Sequence, residues 1–496
     1  MVWEIFEKLM TSTPRCSKHE SRVRSQIVEW VKRQASRKHL DVKIYQDETG
    51  NLLIRVPPTP GMESCRTLIL QAHLDMVCET NRPGGFDFEK SPIPVTLSSD
   101  GEWVTANGTT LGADNGIGVA LALALIADDS ENIARGPLEI LLTVDEETGL
   151  TGAFGVDPKA LNMTGLIMIN LDTETFGSIT IGSAGGGDIR LTRASGTENV
   201  GKPLEFIRLR VAGLQGGHSG VDIHEPRANA IKIVARLLSS VRLAENLYLC
   251  CWNGGTKHNA IPRESEAVFA VSPDSVADVL DILTRERKAI LDYYRNSEQG
   301  ALVLEPGMEI TWEKTRARSC YSIDESSKIV NTLNALPHGY RNFSPDVPGL
   351  VETSCNVATI NTEKDRMTVL ISVRSSIDSE LEAFRRSISD IGRLGGWQVS
   401  LGNAYPGWKP QPNSPFLQFV KEHYERLTGG QVKIEAVHAG LECGIIGSHI
   451  QGIQMVSIGP TVRGAHTPDE RLRISDVGAM YSLLKDILRD LIHFTG

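Results

Sequence analysis

Four stretches of this chain set carboxylates or imidazoles at or just beyond apolar segments. "LILQAHLDMV" (68–77) holds His73 and Asp75 two positions apart, on the same side of an extended strand. "LEILLTVDEE" (138–147) ends in Glu146 and Glu147, and "TGLIMINLDTE" (164–174) carries Asp172. "GADNGIG" (112–118) contributes Asp114, and a fifth stretch, "GAHTPDERLRISD" (464–476), adds His466. Singly, each has a bland explanation: a hydrogen-bonded histidine, a solvated glutamate pair, an aspartate capping a turn. Together they point to a metal centre. Carboxylates converging on one edge would repel one another and rise in pKa unless cations compensated them. Mixed imidazole and carboxylate ligands suit Zn²⁺, Mn²⁺ or Co²⁺.

Two divalent ions fit better than one. A carboxylate such as Asp114 can bridge ions about 3.5–4 Å apart, as in two-metal hydrolases. His73 and Asp172 would then hold one ion, and Glu147 and His466 the other. Glu146 and Glu147 are neighbours and point different ways, so one can bind metal while the other faces substrate. That leaves Glu146 to take a proton from water and return it to a leaving amine. Asp75 would accept a hydrogen bond from His73 and orient it.

Such a centre needs strands that end together. Short apolar runs alternate with helical patterns up to about residue 187, which predicts a three-layer α/β/α domain. The opening residues to about 10 and the segment 19–39 read as helices, and a further helix is expected to begin near Asn115. From the glycine-rich "GSITIGSAGGGDIRLTR" (177–193) onward, alternating strands mix with long helices. An α+β domain inserted at 188–395 follows, with residues 1–187 and 396–496 forming the discontinuous first domain.

The bulk numbers narrow the function classes. A chain of 496 residues favours more than one domain. A formal charge of -10 argues against general nucleic-acid binding. The longest apolar stretch, Val119–Ala127, is too short to span a bilayer. The acidic, amphipathic start lacks the pattern of a signal peptide, so a cytoplasmic location is expected. The 8 scattered cysteines are expected to be free thiols. "GADNGIGVALALAL" resembles a dinucleotide loop but lacks its third glycine, and Asp114 would repel phosphate.

"HLD", "GADNGIG", "DEETGLTGA", "NLDTE", "GGHSG", "NAIPR" and "GAHTPDERL" occur in that order. Together with "AYPGWKP" and "HAGLECG", they resemble the aminoacyl-histidine dipeptidases (Xaa-His dipeptidases) of the di-zinc peptidase and aminoacylase superfamily. The resemblance covers nearly the whole chain. It implies a catalytic domain interrupted by a lid domain and a dipeptide substrate with a free N-terminus, and, as in some relatives, a homodimer through the lid. It also implies His73, Asp114, Glu147, Asp172 and His466 as metal ligands, with Glu146 as general base and Asp75 as catalytic aspartate. His218 of "GGHSG" would stabilise the oxyanion, and Asn259 and Arg374 would hold the substrate backbone and carboxylate. Glu442 is expected near the substrate's amino group. An N-acyl amino-acid amidohydrolase, a tripeptidase or a non-catalytic metal-binding protein would share the same frame.

Overall fold

The mainly apolar runs form the centre of a sheet. Strands Leu138–Thr143, Leu68–His73, Ile167–Asn170 and Gln454–Ser457 lie side by side and parallel. In the first three, every residue is buried. Successive side chains point to opposite faces, so both faces must be covered, which is why these strands read as mainly apolar runs and not as alternating ones. Lys43–Gln46 and Leu52–Val56 extend one edge antiparallel, and Ser178–Ser183 and Lys433–Val437 complete the other.

This computed structural model describes residues 1–128, 134–194, 196–197, 201, 203–295 and 303–496. It divides into two units. One comprises Met1–Ser183, Trp408–Ala436 and Leu441–Gly496, and the other Ala184–Gly407 with Val437–Gly440. The mixed α/β class expected from the sequence holds. In the first unit, helices Ser21–Lys38, Ala113–Ala127, Pro415–Thr428 and Ile474–Asp490 share the sheet's apolar core. Helix Ala113–Ala127 is buried at every position but Asp114. Asp114 and Asn115 have non-helical dihedrals and are joined by a cis peptide bond. Regular helical turns therefore begin after Asn115. The opening helix is also broken in type: Val2–Ile5 is α-helical and Phe6–Thr11 is a π-helix.

The second unit is built on a sheet with strands in the order 309–315, 205–212, 265–271, 248–254, 351–362, 366–375, 185–194 and 398–405. Every registered neighbour in it is antiparallel. Helices 230–244, 276–295, 323–335 and 378–394 pack their apolar sides into its own core. Gln398–Tyr405 lies beyond the expected boundary at 395 yet pairs with Gly185–Ala194. That cross-strand pairing, invisible to local composition, carries the unit to Gly407. Among the described residues, no helix is long and apolar enough to cross a membrane.

The expectation of free thiols throughout needs correcting: Cys16 and Cys78 form a disulfide. The segment after the π-helix runs beside the loop after strand Leu68–His73, with Cys16 bridged to Met76, which brings the two cysteines together. Their separation of 62 residues hides the pair from any spacing rule. The other six cysteines are free, and all but Cys251 are buried. Closing a loop of that length constrains the unfolded chain by about 4 kcal/mol in the chain-entropy description. Reduction, or the double change Cys16→Ser/Cys78→Ser, is expected to lower the denaturation midpoint accordingly. Equal midpoints for the oxidised and reduced protein in urea would refute this.

Candidate metal and catalytic centre

Parallel strands run the same way, so their carboxyl ends collect along one edge, where ligands gather in open α/β sheets. His73 closes its strand, and Asp75 follows two residues later. After strand Leu138–Thr143 the chain turns through Asp145, at φ +48°, to present Glu146 and Glu147. Asp172 follows strand Ile167–Asn170. Asp114 sits where the chain enters helix Ala113–Ala127. The carboxylate of Glu470 holds this entrance: it accepts backbone N–H groups from Leu111, Gly112, Ala113 and Asp114 at 2.7–3.2 Å. A helix start leaves such donors without intrahelical partners.

Asp114 is central. Its Oδ1 lies 2.9 Å from His73 Nε2, and its Oδ2 lies 3.0 Å from His466 Nε2. His73 Nε2 is also 3.5 Å from Asp172, and His466 Nε2 is 2.9 Å from Glu147. Two sets of ligand atoms, His73–Asp114–Asp172 and Asp114–Glu147–His466, each lie within 4.8 Å of one another. They share Asp114. A third set, His73–Glu146–Glu147, meets the same limit. Glu147 Oε1 is buried with no hydrogen-bond partner, as a spare ligand atom would be. These donors fit divalent cations: carboxylates and imidazoles converge, and one carboxylate offers an oxygen to each set.

His73 turns its other nitrogen, Nδ1, to within 3.3 Å of Asp75, but Nδ1 has no hydrogen-bond partner, so the expected hydrogen bond to Asp75 is replaced by a close charge contact. Asp75 is fully buried. It accepts the backbone N–H of Glu146 at 2.9 Å and of Glu147 at 3.2 Å, and the Ser17 hydroxyl at 2.8 Å. Asp75 therefore links His73 to the turn that bears both glutamates.

The electrostatics divide the acids into two groups. Burial would raise Asp75, but His73 and the Glu146 N–H hold it at about 2. Burial would also raise Asp114, yet His466 and His73 keep it far below the usual carboxylate range. Burial instead dominates at Glu146 and pushes it well up, helped by the charges of Asp172, Glu147 and Glu442. Glu147 and Asp172 are also raised, chiefly by burial. Burial raises Glu174 to about 8, with Asp114 and Asp172 adding to the effect. Contacts with Asp114 and Glu147 raise His466 to about 11. Burial opposes charge on His73, but Asp172, Asp114 and Asp75 lift it well above an ordinary histidine. Carboxylates with divergent pKa values in one pocket are a common mark of acid–base chemistry.

Glu442 begins helix Glu442–His449 and is 1% exposed. Its Oε2 accepts from Gln71 at 2.6 Å and Thr143 at 2.8 Å, while its Oε1 is unpartnered. Burial raises it to about 7.

The second unit carries His218, Asn259 and Arg374. Residues 217–218 pair with 260–261, which sets His218 opposite Ala260, beside Asn259. Ser219 N–H donates to the Asn259 carbonyl at 2.8 Å. The backbone N–H groups of Gly220 and Val221 donate to His218 Nδ1 at 3.2 and 3.0 Å. An Nδ1 that accepts must be unprotonated, which assigns the proton to Nε2. Burial, then the charge of Arg374, lowers His218 to about 4, so the ring is a neutral donor. Arg374 is 6% exposed. Its Nη1 donates to Tyr405 Oη at 3.1 Å, while its Nε is buried without a partner. His438, 2.7 Å from Ser354 Oγ through Nε2, is lowered to about 3 by burial and by Arg374 and His218.

Residue patterns overlooked several participants. Ser17, Gln71 and Thr143 carry neither a carboxylate nor an imidazole, and Arg15 carries no ligand atom for a cation. Glu470 in "GAHTPDERL" and Glu174 in "NLDTE" each stand as an extra acid near a ligand, a signal that the sequence does carry.

A discontinuous α/β unit with such a centre, and an α+β unit set within its sequence, define the class. Residues 69–490 match the description "Peptidase family M20/M25/M40", and the chain belongs to this family of peptidases. It is 40% identical over 492 residues to the cytosol non-specific dipeptidase of Escherichia coli (strain K12), covering 99% of this chain and 97% of that one. The crystal structure of aminoacylhistidine dipeptidase from Vibrio alginolyticus superposes with a TM-score of 0.86 at 36% identity, over 98% of this chain and 96% of that one. The aminopeptidase PepT from Bacillus cereus ATCC 10987 shares the fold, at TM-score 0.56 and 16% identity over 99% and 98% of the two chains.

Proposed function

We propose that this peptidase is a metal-dependent dipeptidase that cleaves dipeptides with a free N-terminus, Xaa-His among them, in the cytoplasm. The observation that carries the reading is Asp114, whose two oxygens face two imidazoles while the adjoining turn presents Glu146. Similarity to two dipeptidases over nearly the full chain supports the substrate class.

His73, Asp114 and Asp172 would hold one divalent ion, and Asp114, Glu147 and His466 a second, with zinc, manganese and cobalt as the candidates. Such ions supply Lewis acidity and make water nucleophilic at neutral pH. Glu146 takes the proton of the attacking water on its carboxylate and passes it to the leaving nitrogen. Its raised pKa favours holding that proton between the two steps. Asp75 keeps His73 and the 146–147 turn in place. His218 donates its Nε2 proton to the developing oxyanion, Arg374 takes the substrate carboxylate through paired hydrogen bonds, and Asn259 takes the substrate backbone. Glu442 accepts the substrate ammonium through its unpartnered Oε1. A homodimer through the inserted unit belongs to the same reading, and sedimentation velocity tests it.

The test is a substrate panel containing an Xaa-His dipeptide, other dipeptides and an N-acetyl amino acid, run on metal-loaded protein. Dipeptides are expected to be cleaved and the N-acetyl amino acid spared. Cleavage of the N-acetyl compound alone would make the protein an amidohydrolase. Glu442→Gln is expected to lower kcat/KM on dipeptides by roughly 10-fold or more, the usual worth of a hydrogen bond to a charged group, and to spare N-blocked substrates. An equal loss on both would remove Glu442 from amino-group recognition.

A further inference from the structure

The segment "PRCS" (14–17) lies outside the motifs that carry the ligands. It nevertheless runs into the floor of the centre. Arg15 is 1% exposed, and among the described residues it makes no ion pair. Its guanidinium is spent on backbone carbonyls. Nε donates to Met10 at 3.0 Å, Nη1 to Leu74 at 3.0 Å and to Asp75 at 2.8 Å, and Nη2 to Gly112. One side chain thus ties the end of the π-helix, the residues that follow His73, and the loop two residues before Asp114. The Arg15 carbonyl in turn accepts the N–H of Met76 at 3.1 Å.

Burying an unpaired cation is costly, so the position needs a compensating field. The charges of Glu470, Asp75, Asp114 and Glu147 supply it. Only arginine has enough donors, in a rigid planar fork, to reach these carbonyls at once; lysine has one nitrogen on a flexible stem. The neighbouring motif is cut to fit. Gly112 takes a left-handed φ of +69°, and its carbonyl meets the guanidinium. At Gly116 an added Cβ would lie 2.6 Å from Arg15 Nη2. Gly112 and Gly116 of "GADNGIG" therefore make room for a buried guanidinium. Ser17, two residues on, donates to Asp75 Oδ2, and Cys16 between them is fastened to Cys78.

We propose that Arg15 is a positioning residue for the reaction: its guanidinium fixes the backbone bearing Asp75 and Asp114, and through them the imidazoles and Glu146. The proposal deepens the dipeptidase reading and rests on it for the chemistry, but its effect on metal binding stands apart from the substrate.

The experiment compares Arg15→Lys, Arg15→Met and Gly116→Ala with the unaltered protein. Zn²⁺ and Co²⁺ affinity is measured by competition with a chelating dye, kcat and KM on a dipeptide, and folding by circular dichroism and thermal unfolding. Metal affinity and kcat are each expected to fall about 10–100-fold in the two Arg15 variants, the usual worth of residues that orient metal ligands, with KM unchanged. Gly116→Ala, which keeps the arginine but crowds it, should move both in the same direction. Combining it with Arg15→Lys should add little, because both displace one group. If Arg15→Met does not fold, Arg15→Lys and Gly116→Ala decide the matter. A folded Arg15→Lys that melts earlier but keeps its metal affinity and kcat would overturn the proposal and make Arg15 a core residue only. Unaltered protein that binds metal without cleaving any dipeptide would overturn the dipeptidase reading instead, and metal affinity in the variants would still decide the role of Arg15.

Discussion

Glu146→Gln is expected to lower kcat by roughly 10²–10⁴-fold, the range for losing a positioned general acid–base, and to leave KM and the bound metal unchanged. Glutamine keeps the shape of the side chain and loses only the ability to hold a proton. The metal measurement is needed because His73, Glu146 and Glu147 also form a set of ligand atoms within 4.8 Å. If Glu146→Gln lost an ion, Glu146 would be a ligand, and Glu147 would become the candidate base. Stability adds an independent sign. Burial raises the Glu146 carboxyl well above its unfolded value. Above the unfolded pKa, the unfolded chain therefore binds fewer protons at this residue than the folded one, and the group costs stability as pH rises. Removing the charge should make the metal-free protein more stable at neutral pH, as expected where catalysis keeps an unfavourable group buried. A variant that lost activity and stability together would argue for a structural Glu146.

The parts of this molecule that were legible in the sequence are those whose cause is local. Strand Leu138–Thr143 announces itself because both its faces are buried, so its pattern is apolar except at Glu139, which pairs with Arg55, and its end is marked by polar residues. The α/β class follows from repeating that pattern between helices. The acids could be grouped because each stands at the end of such a run. Illegible parts depend on distant partners. Glu470 caps a helix start about 357 residues earlier in the chain. Cys16 meets Cys78 only because two loops run side by side. Arg15 looks like one more basic residue until the carbonyls of Leu74, Asp75 and Gly112 surround it. His218 could be proposed as an oxyanion donor from its motif, but its tautomer depends on where the Gly220 and Val221 amides point.

Asp114→Asn is expected to be the most damaging single change at the centre. Its two oxygens serve both ligand sets, so both ions should weaken together. A metal's Lewis acidity is worth several kcal/mol, and at 1.36 kcal/mol per decade activity should fall about a thousandfold or more. Proton release gives a finer test. In the metal-free protein, contacts with Asp114 and Glu147 raise His466 to about 11. His73 is raised as well, by Asp172, Asp114 and Asp75 against its burial. Both imidazoles therefore carry protons at pH 7, and a metal ligand must be neutral. Binding must displace those protons, so metal affinity should rise with pH up to about pH 11. Titration calorimetry in buffers of different ionisation enthalpy should report proton release on binding. The raised His466 also stabilises the metal-free fold: that contribution is complete below pH 6.5 and is lost as pH climbs through 11. Bound metal, which replaces the protons, should flatten this alkaline loss. Asp114→Asn removes the carboxylate facing both rings, so the rings should hold their protons less tightly and release fewer to any metal that still binds. Unchanged proton release in Asp114→Asn, or none in the unaltered protein, would show that the histidines are not the groups the metal displaces, and the ligand assignment would fail with it.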